Sequence, residues 1–256
     1  MKAGQRLWTK DELVLALNLY CKLPFGQLHS RNKEIIELSR ILSRTPGSLA
    51  FKLVNFASLD PSLQARGIKG ASNTSKLDKD VWNSYYNHWD IFPFDSEMLL
   101  KKMIGTTINE MDLPEEDAFL MEGKTKEQLV KVRVNQYFFR RTVLASYNNR
   151  CCITGISQKE LLIAGHIKPW GMDEKNRLNP RNGISINALH DKAFELGFIT
   201  IAPNYKIKVS PLLLKNKDDY SNNFFRKFHG KQIFMPSRFL PDIEFLKFHN
   251  QERFRN

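Results

Sequence analysis

Two histidines, an asparagine and an aspartate in the second half of the chain have types and spacing that suit proton transfer and cation binding. His166 ends a predicted strand, Asn182 lies in a polar loop, and His190 and Asp191 lie in the first turn of a predicted helix. Because an imidazole titrates near neutral pH, His166 is suited to accept a proton there. The carboxylate of Asp191 suits a hard cation, whereas the imidazole of His190 suits a softer one.

The elements that position these side chains follow from local sequence patterns. An amphipathic helix, two strands, a helix and a hairpin around Pro203 and Asn204 are predicted in that order. Their residues are 139–147 for the first helix, 152–155 and 161–167 for the strands, 187–196 for the second helix, and 198–201 and 206–209 for the hairpin.

This order of strand, strand with histidine, loop with asparagine and helix with His-Asp resembles the HNH nuclease motif, the ββα-metal fold. It is most similar to the HNH domain of restriction endonucleases, from about Phe139 to Ile201. Four strings carry the resemblance, at residues 150–155, 165–170, 179–183 and 189–194.

The resemblance implies a role for each matching position. His166 is the general base that deprotonates water for phosphodiester hydrolysis, and Asn182 stabilises the loop and helps to orient this base. The helix supplies the ligand for a divalent cation, with Mg²⁺ expected first and Mn²⁺ or Ni²⁺ as alternatives. Basic side chains nearby are expected to contact the DNA backbone, namely Lys168, Arg177, Arg181 and Lys192.

Two departures from the family pattern concern the metal. Many HNH enzymes carry an acidic ligand just before the base histidine, and here that position is Gly165. The helix ligand usually lies nine residues after the asparagine, which is Asp191, but His190 directly precedes it and is also a catalytic candidate. Glu195 lies one turn further on the same face. The choice among the three stays open, as does a purely structural role as a helix cap or packing residue.

The three cysteines make neither a disulfide framework nor a four-cysteine zinc site. Cys151 and Cys152 are adjacent and are predicted to point to opposite faces of a strand. We therefore expect no structural zinc, and a reducing, cytoplasmic compartment. The histidines at positions 29, 88, 229 and 249 have no partner at a recognisable spacing, so we assign them no role.

The first hundred residues predict three short helices with a sharp break before the third. Thr9 with Glu12 forms a capping box, a second helix starts near Asn32, and Thr45 caps the third. This layout is typical of a helix-turn-helix and resembles the Myb/SANT pattern. If it holds, Ser48, Lys52 and Asn55 face DNA and Arg44 holds a phosphate, whereas a plain helical bundle is the alternative.

Charge divides the chain into three segments. The net charge is +12, distributed as +5 in residues 1–108, −3 in residues 109–137 and +10 in residues 138–256. This distribution predicts two basic modules on either side of an acidic linker. Taken together with the helix pattern and the HNH resemblance, it predicts a helical DNA-reading domain first, and last a nuclease domain that ends in a hairpin and a helix. The excess of positive charge indicates a polyanionic partner. No apolar run is long enough to cross a membrane, so we do not expect a membrane to be a partner of this protein.

These observations predict an α+β protein that cleaves double-stranded DNA with a divalent metal, in a restriction or defence setting. One such site cuts one strand, so a double-strand break requires a homodimer, two visits or two sites. The main alternative is a non-catalytic DNA-binding regulator with a decayed HNH site, for which Gly165 is the argument. An RNA nuclease is disfavoured because the sequence has no RNA-recognition signature.

Overall fold

A long helix crosses the boundary between the two compact units of the chain, Met1–Arg141 and Thr142–Asn256. The computed structural model describes residues 6–68, 74–86, 88–105, 126–215 and 217–256. The predicted linker, residues 109–137, falls outside this description up to residue 125. Its remaining residues begin the long helix, so this part of the acidic segment is helical.

The described part of the first unit is built from helices. These are α1 (Lys10–Lys22), α2 (Lys33–Ile41), α3 (Pro46–Leu59), α4 (Pro61–Gln64), α5 (Lys76–Tyr85), α6 (Phe92–Ile104) and α7 (Lys126–Ser146), the last of which continues into the second unit. The capping box of Thr9 and Glu12 and the Thr45 cap before Pro46 are confirmed. Each cap satisfies backbone N–H groups that the first helical turn leaves unpaired.

Aromatic side chains form the centre of this unit. Trp82 packs against Tyr20 and stacks on Phe56 and Tyr86, with 4.4 Å between the ring centroids of Trp82 and Tyr86. Trp82 and Trp89 are both buried. The aromatic residues at helical spacing in this segment therefore serve mainly as core.

The prediction that Lys52 and Asn55 face DNA from α3 is wrong, because both side chains are buried. Helix α5 covers this face of α3, and both carboxylate oxygens of Asp78 accept hydrogen bonds from Lys52 Nζ at 2.8 Å. Asn55 Nδ2 donates to the same carboxylate at 3.4 Å. The periodicity separated the two faces of α3 correctly, but a second helix packs on the polar one. Ser48, one turn earlier, is half-buried.

Arg44 does not project to hold a phosphate as predicted. Its guanidinium pairs with the buried carboxylate of Glu12 at 2.7 Å and lies 4.3 Å from the centre of the Trp8 ring. It also donates to the backbone carbonyls of Arg6 and Leu7, at 2.9 and 2.6 Å. Arg44 thus joins the segment before α1 to the turn before α3, and its positive charge is compensated within the unit.

The second unit combines the end of α7 with two small antiparallel sheets. Its further elements are β1 (Leu162–His166), β2 (Gly183–Asn187), α8 (Ala188–Glu195), β3 (Ile199–Ile201), β4 (Ile207–Val209), α9 (Pro211–Leu214), α10 (Asp219–Phe224) and α11 (Ile243–Glu252). In the first sheet Leu162 pairs with Asn187 and His166 with Gly183. The β3–β4 hairpin is confirmed, and so is the α+β fold class.

The predicted strand at residues 152–155 is wrong, and the partner of β1 is β2. Residues 152–154 form a turn, in which the N–H of Cys152 donates to the Ser185 carbonyl at 2.6 Å. Gly155 has φ +75°, a left-handed conformation that breaks an extended strand. Cys151 and Cys152 are nevertheless both fully buried, in the core between the first sheet and α8. In the part of the chain that is described, no helix combines the length and apolar character needed to cross a membrane.

Candidate active site

A cavity of about 320 Å³ in the second unit collects ionisable side chains from three elements. Strand β1 contributes His166, helix α8 contributes Asp191 and Glu195, and the end of α11 contributes His249 and Arg253. The sequence predicted a role for the first three of these residues. The β1–β2 pairing and the direct continuation of β2 into α8 bring the strand and the helix to the same cavity.

His166 lies at the end of β1 with its ring held in one orientation. Its Nε2 lies 2.8 Å from the backbone carbonyl of Arg177, and because a carbonyl only accepts, Nε2 is the donor. A neutral ring then carries its lone pair on Nδ1. Burial lowers the pKa of His166, although the Arg177 carbonyl partly opposes this effect. His166 is therefore neutral near pH 7, the form that accepts a proton. The Trp170 ring contacts it edge to face, with 5.4 Å between centroids.

The carboxylate of Asp191 occupies the space beside Gly165. A Cβ built at Gly165 would overlap Oδ1 of Asp191, so a side chain at position 165 requires this carboxylate to move. Burial, together with the charge of Glu195, raises the pKa of Asp191 to about 6, while Lys192 acts in the opposite direction. Among the described residues, none donates a hydrogen bond to the Asp191 carboxylate.

His190 and Glu195, the other two candidate ligands, are engaged differently. The His190 ring is buried, with Nδ1 3.0 Å from Asn187 Oδ1 and Nε2 2.7 Å from the Phe224 carbonyl. Both ring nitrogens thus have protein partners that fix the start of α8 and the segment around Phe224. Glu195 lines the cavity, but its exposed carboxylate pairs with Lys192 at 2.8 Å.

Asn182 is fully buried and holds the loop between β1 and β2. Its Oδ1 accepts from the N–H of Lys168 at 2.8 Å, and its Nδ2 donates to the carbonyls of Lys168 and Asn176 at 3.1 and 3.2 Å. The asparagine therefore fixes the chain directly after His166. It does not itself line the cavity.

The basic residues predicted to contact DNA in this unit do not line the cavity, and each is paired with a carboxylate. The four pairs, with their nitrogen–oxygen distances, are Lys168–Asp173 at 3.1 Å, Arg177–Glu174 at 2.7 Å, Arg181–Asp242 at 3.0 Å and Lys192–Glu195 at 2.8 Å. The Arg177 guanidinium also lies 5.1 Å from the centre of the Trp170 ring. These contacts partly neutralise the positive charge at all four positions.

His249 and Arg253, which no sequence pattern predicted as site residues, reach the cavity from the end of α11. His249 stacks on Phe194 with 3.7 Å between ring centroids, and its Nδ1 lies 2.8 Å from Thr200 Oγ1. Burial, helped by the charge of Arg253, lowers the pKa of His249 to about 4. No local spacing indicates either residue, because their partners lie about fifty positions earlier in the chain.

The described residues contain no three His, Cys, Asp or Glu side chains that converge as a ready-made metal cluster. Asp191 is nevertheless a half-buried carboxylate without a protein donor, which is the kind of group that a hard cation stabilises. Cys151 and Cys152 belong to the core instead, and burial raises the pKa of the Cys152 thiol well above its ordinary value.

Comparison with known proteins identifies this region. Residues 151–202 match a family model described as HNH endonuclease, and they include β1, β2 and α8. No curated protein matches the chain. The family match suggests a nuclease of the HNH class, implies DNA as its substrate, and brings with it the general use of a divalent metal. Residues 151–202 of this chain therefore form a domain of the HNH endonuclease family.

Proposed function

We propose that the protein is a metal-dependent DNA endonuclease that uses His166 as its general base. One observation carries the proposal: a neutral, oriented histidine and a half-buried carboxylate without a donor line the same cavity. Phosphodiester hydrolysis needs a proton acceptor for the attacking water and charge compensation at the phosphate. The two side chains are suited to these two tasks.

His166 takes the proton at Nδ1 in this proposal. The Arg177 carbonyl fixes the tautomer and ring orientation, and after proton transfer it stabilises the imidazolium by accepting from Nε2. Asn182 maintains this geometry because it holds both backbone groups of Lys168, two positions beyond the base. His166 is thus a catalytic residue and Asn182 a positioning residue.

Asp191 is the residue that would mainly hold the metal, and Glu195 is the second candidate from the same cavity. Asp191 is favoured over His190, because both ring nitrogens of His190 already have protein partners. When bound, the divalent cation supplies charge stabilisation to the phosphate and to the leaving oxygen. A protein that offers one or two carboxylates suits Mg²⁺ best, since Mg²⁺ retains several waters and binds phosphate oxygens directly.

Cleavage of supercoiled plasmid DNA tests this function. We expect nicking by the wild type in Mg²⁺ or Mn²⁺, no nicking in EDTA, and loss of nicking in His166→Ala with DNA binding retained. His29→Ala, which removes an exposed histidine of the first unit, is the matched control and should cleave as the wild type does. Cleavage by folded His166→Ala at the wild-type rate would remove the base assignment.

A restriction or defence role is proposed from the resemblance, with the helical first unit reading DNA through surfaces other than Lys52 and Asn55. Discrete plasmid fragments, dependent on methylation, support this role. A double-strand break by a single site requires a homodimer or two visits, which sedimentation of the protein–DNA complex distinguishes. The alternative of a decayed regulator rested on Gly165, and it is weakened because Asp191 fills the space beside that glycine.

A further inference from the structure

Arg253 differs from the four predicted DNA-contacting residues of the second unit because its guanidinium forms no ion pair with any carboxylate that the structure describes. Those four residues are each paired with a carboxylate, as described above. Arg253 lines the cavity that holds His166 and Asp191, and its Nη2 donates to the backbone carbonyl of Glu195 at 3.0 Å. Within the described part of the chain, no carboxylate pairs with Arg253. Its guanidinium therefore lines the cavity without a described carboxylate at ion-pair distance.

The protein holds Arg253 in this place through specific contacts with the end of α8. Gly197, just beyond α8, has φ +76°, and a Cβ there would overlap the carbonyl oxygen of Arg253. The N–H of Arg255 donates to the Gly197 carbonyl at 3.0 Å, which closes the contact from the other side. The stacking of His249 on Phe194 joins α11 to α8 one turn earlier. These contacts keep the arginine beside the cavity.

An arginine in this setting has a clear chemical preference. A guanidinium presents several N–H donors in one plane and binds phosphate oxygens in pairs. One Nη of Arg253 is occupied by the Glu195 carbonyl, which orients the planar group and leaves other donors directed elsewhere. The neighbouring His166 and His249 are neutral near pH 7, because burial lowers the pKa of both rings. Arg253 is thus the cationic side chain that lines this cavity.

We propose that Arg253 binds a phosphate of the DNA strand that occupies the His166–Asp191 cavity. The inference rests on the proposed function and adds a phosphate ligand from α11, which lies beyond the family-matching residues 151–202. In this arrangement Arg253 would contact the phosphate from the end of α11, while Asp191 on α8 would hold the cation that also compensates the phosphate charge. Arg253 therefore helps to position the strand that is cut.

Three substitutions at the C-terminus separate this role from a general loss of charge. Arg253→Gln removes the charge and keeps much of the side-chain length, whereas Arg253→Lys keeps the charge. Arg255→Gln is the matched control, because it makes the same charge change two residues away, where the guanidinium lies 4.8 Å from the centre of the Phe198 ring. Thermal unfolding of each variant shows whether α11 remains docked on α8.

DNA binding in EDTA, as a function of salt, provides a readout that does not depend on cleavage. For Arg253→Gln we expect the slope of log K against log salt to fall by about 1, as for the loss of one phosphate contact. Arg253→Lys and Arg255→Gln should retain the wild-type slope. In Mg²⁺, Arg253→Gln should cleave about 10- to 100-fold more slowly, because a charge-assisted hydrogen bond is lost.

The outcomes distinguish this inference from the proposed function. If the wild type cleaves DNA and folded Arg253→Gln has the same salt slope and cleavage rate, the phosphate role of Arg253 is overturned and the nuclease stands. Equal losses in Arg253→Gln and Arg255→Gln also overturn it, because they show an effect of net charge alone. If the wild type neither binds nor cleaves DNA, both proposals fail together.

Discussion

Many HNH enzymes carry an acidic metal ligand at the position that Gly165 occupies here. Moving a carboxylate from position 191 to position 165 tests whether Asp191 takes the place of that ligand. Asp191→Ala should reduce cation-dependent cleavage about 100-fold, the loss typical of a misplaced catalytic group. It also vacates the space beside residue 165, where a Cβ would otherwise overlap Asp191 Oδ1. Gly165→Asp in the Asp191→Ala background should therefore recover part of the lost activity, because it returns a carboxylate to the same cavity from β1.

The size of the steric effect follows from the same geometry. In Gly165→Ala the new Cβ needs about 3.4 Å for ordinary contact, so the Asp191 carboxylate must move by about 1 Å, a displacement that costs about 100-fold in rate. The methyl group of Ile186 at 3.2 Å must also yield slightly. Overpacking of this kind destabilises the fold by about 1–3 kcal/mol, which is compatible with a folded domain.

The assay compares initial rates of plasmid nicking across a Mg²⁺ titration. The proteins are the wild type, Asp191→Ala, Gly165→Ala and the double variant that combines Gly165→Asp with Asp191→Ala. Urea denaturation of each protein confirms that it is folded at the assay temperature. We expect the double variant to be faster than Asp191→Ala and to need more Mg²⁺ than the wild type. A folded double variant no faster than Asp191→Ala would refute the replacement of one ligand by the other, as would wild-type activity in Gly165→Ala.

Two further predictions concern stability. The ring of His249 is neutral in the fold down to about pH 4, whereas the unfolded ring takes up a proton near pH 6.5. The unfolded state therefore binds more protons between these values, and stability falls as the pH falls, by about 3 kcal/mol in total. Urea denaturation should show a shallower pH dependence in His249→Gln, and an unchanged slope would contradict the buried neutral ring. Lys52→Met should destabilise the first unit by about 3–5 kcal/mol, because it leaves the buried Asp78 carboxylate without its cationic partner. Combining it with Asp78→Asn should recover part of that loss in the same assay, whereas reduced DNA affinity without destabilisation would restore the exposed-face interpretation.

Local structure was largely predictable from the sequence. The caps at Thr9 and Thr45, strand β1 up to His166 and the helix after Asn187 all depend on hydrogen bonds and side-chain periodicity within a few residues. The four sequence strings resemble the HNH motif in residue type and in order, and the match at residues 151–202 supports this resemblance. Helix caps and side-chain periodicity can be predicted because they depend only on the types of residues that are close in sequence.

The partners of these elements were decided only by tertiary packing. Local pattern favoured residues 152–155 as a strand, yet β1 pairs with β2, since Gly155 and the buried turn leave the first segment unpaired in the sheet. Lys52 and Asn55 are polar and share one helical face, which alone is compatible with an exposed surface. They are buried because α5 supplies Asp78, and nothing within α3 indicates that partner.

The candidate site shows the same division. The sequence alone determined that a histidine follows a strand, that an asparagine follows in the loop, and that His190 and Asp191 begin a helix. Only the tertiary structure turned His190 toward the Phe224 carbonyl, placed Asp191 beside Gly165, and brought Arg253 to the cavity. The physical reason is that side-chain direction and charge compensation depend on groups distant in the chain, which sequence spacing does not encode.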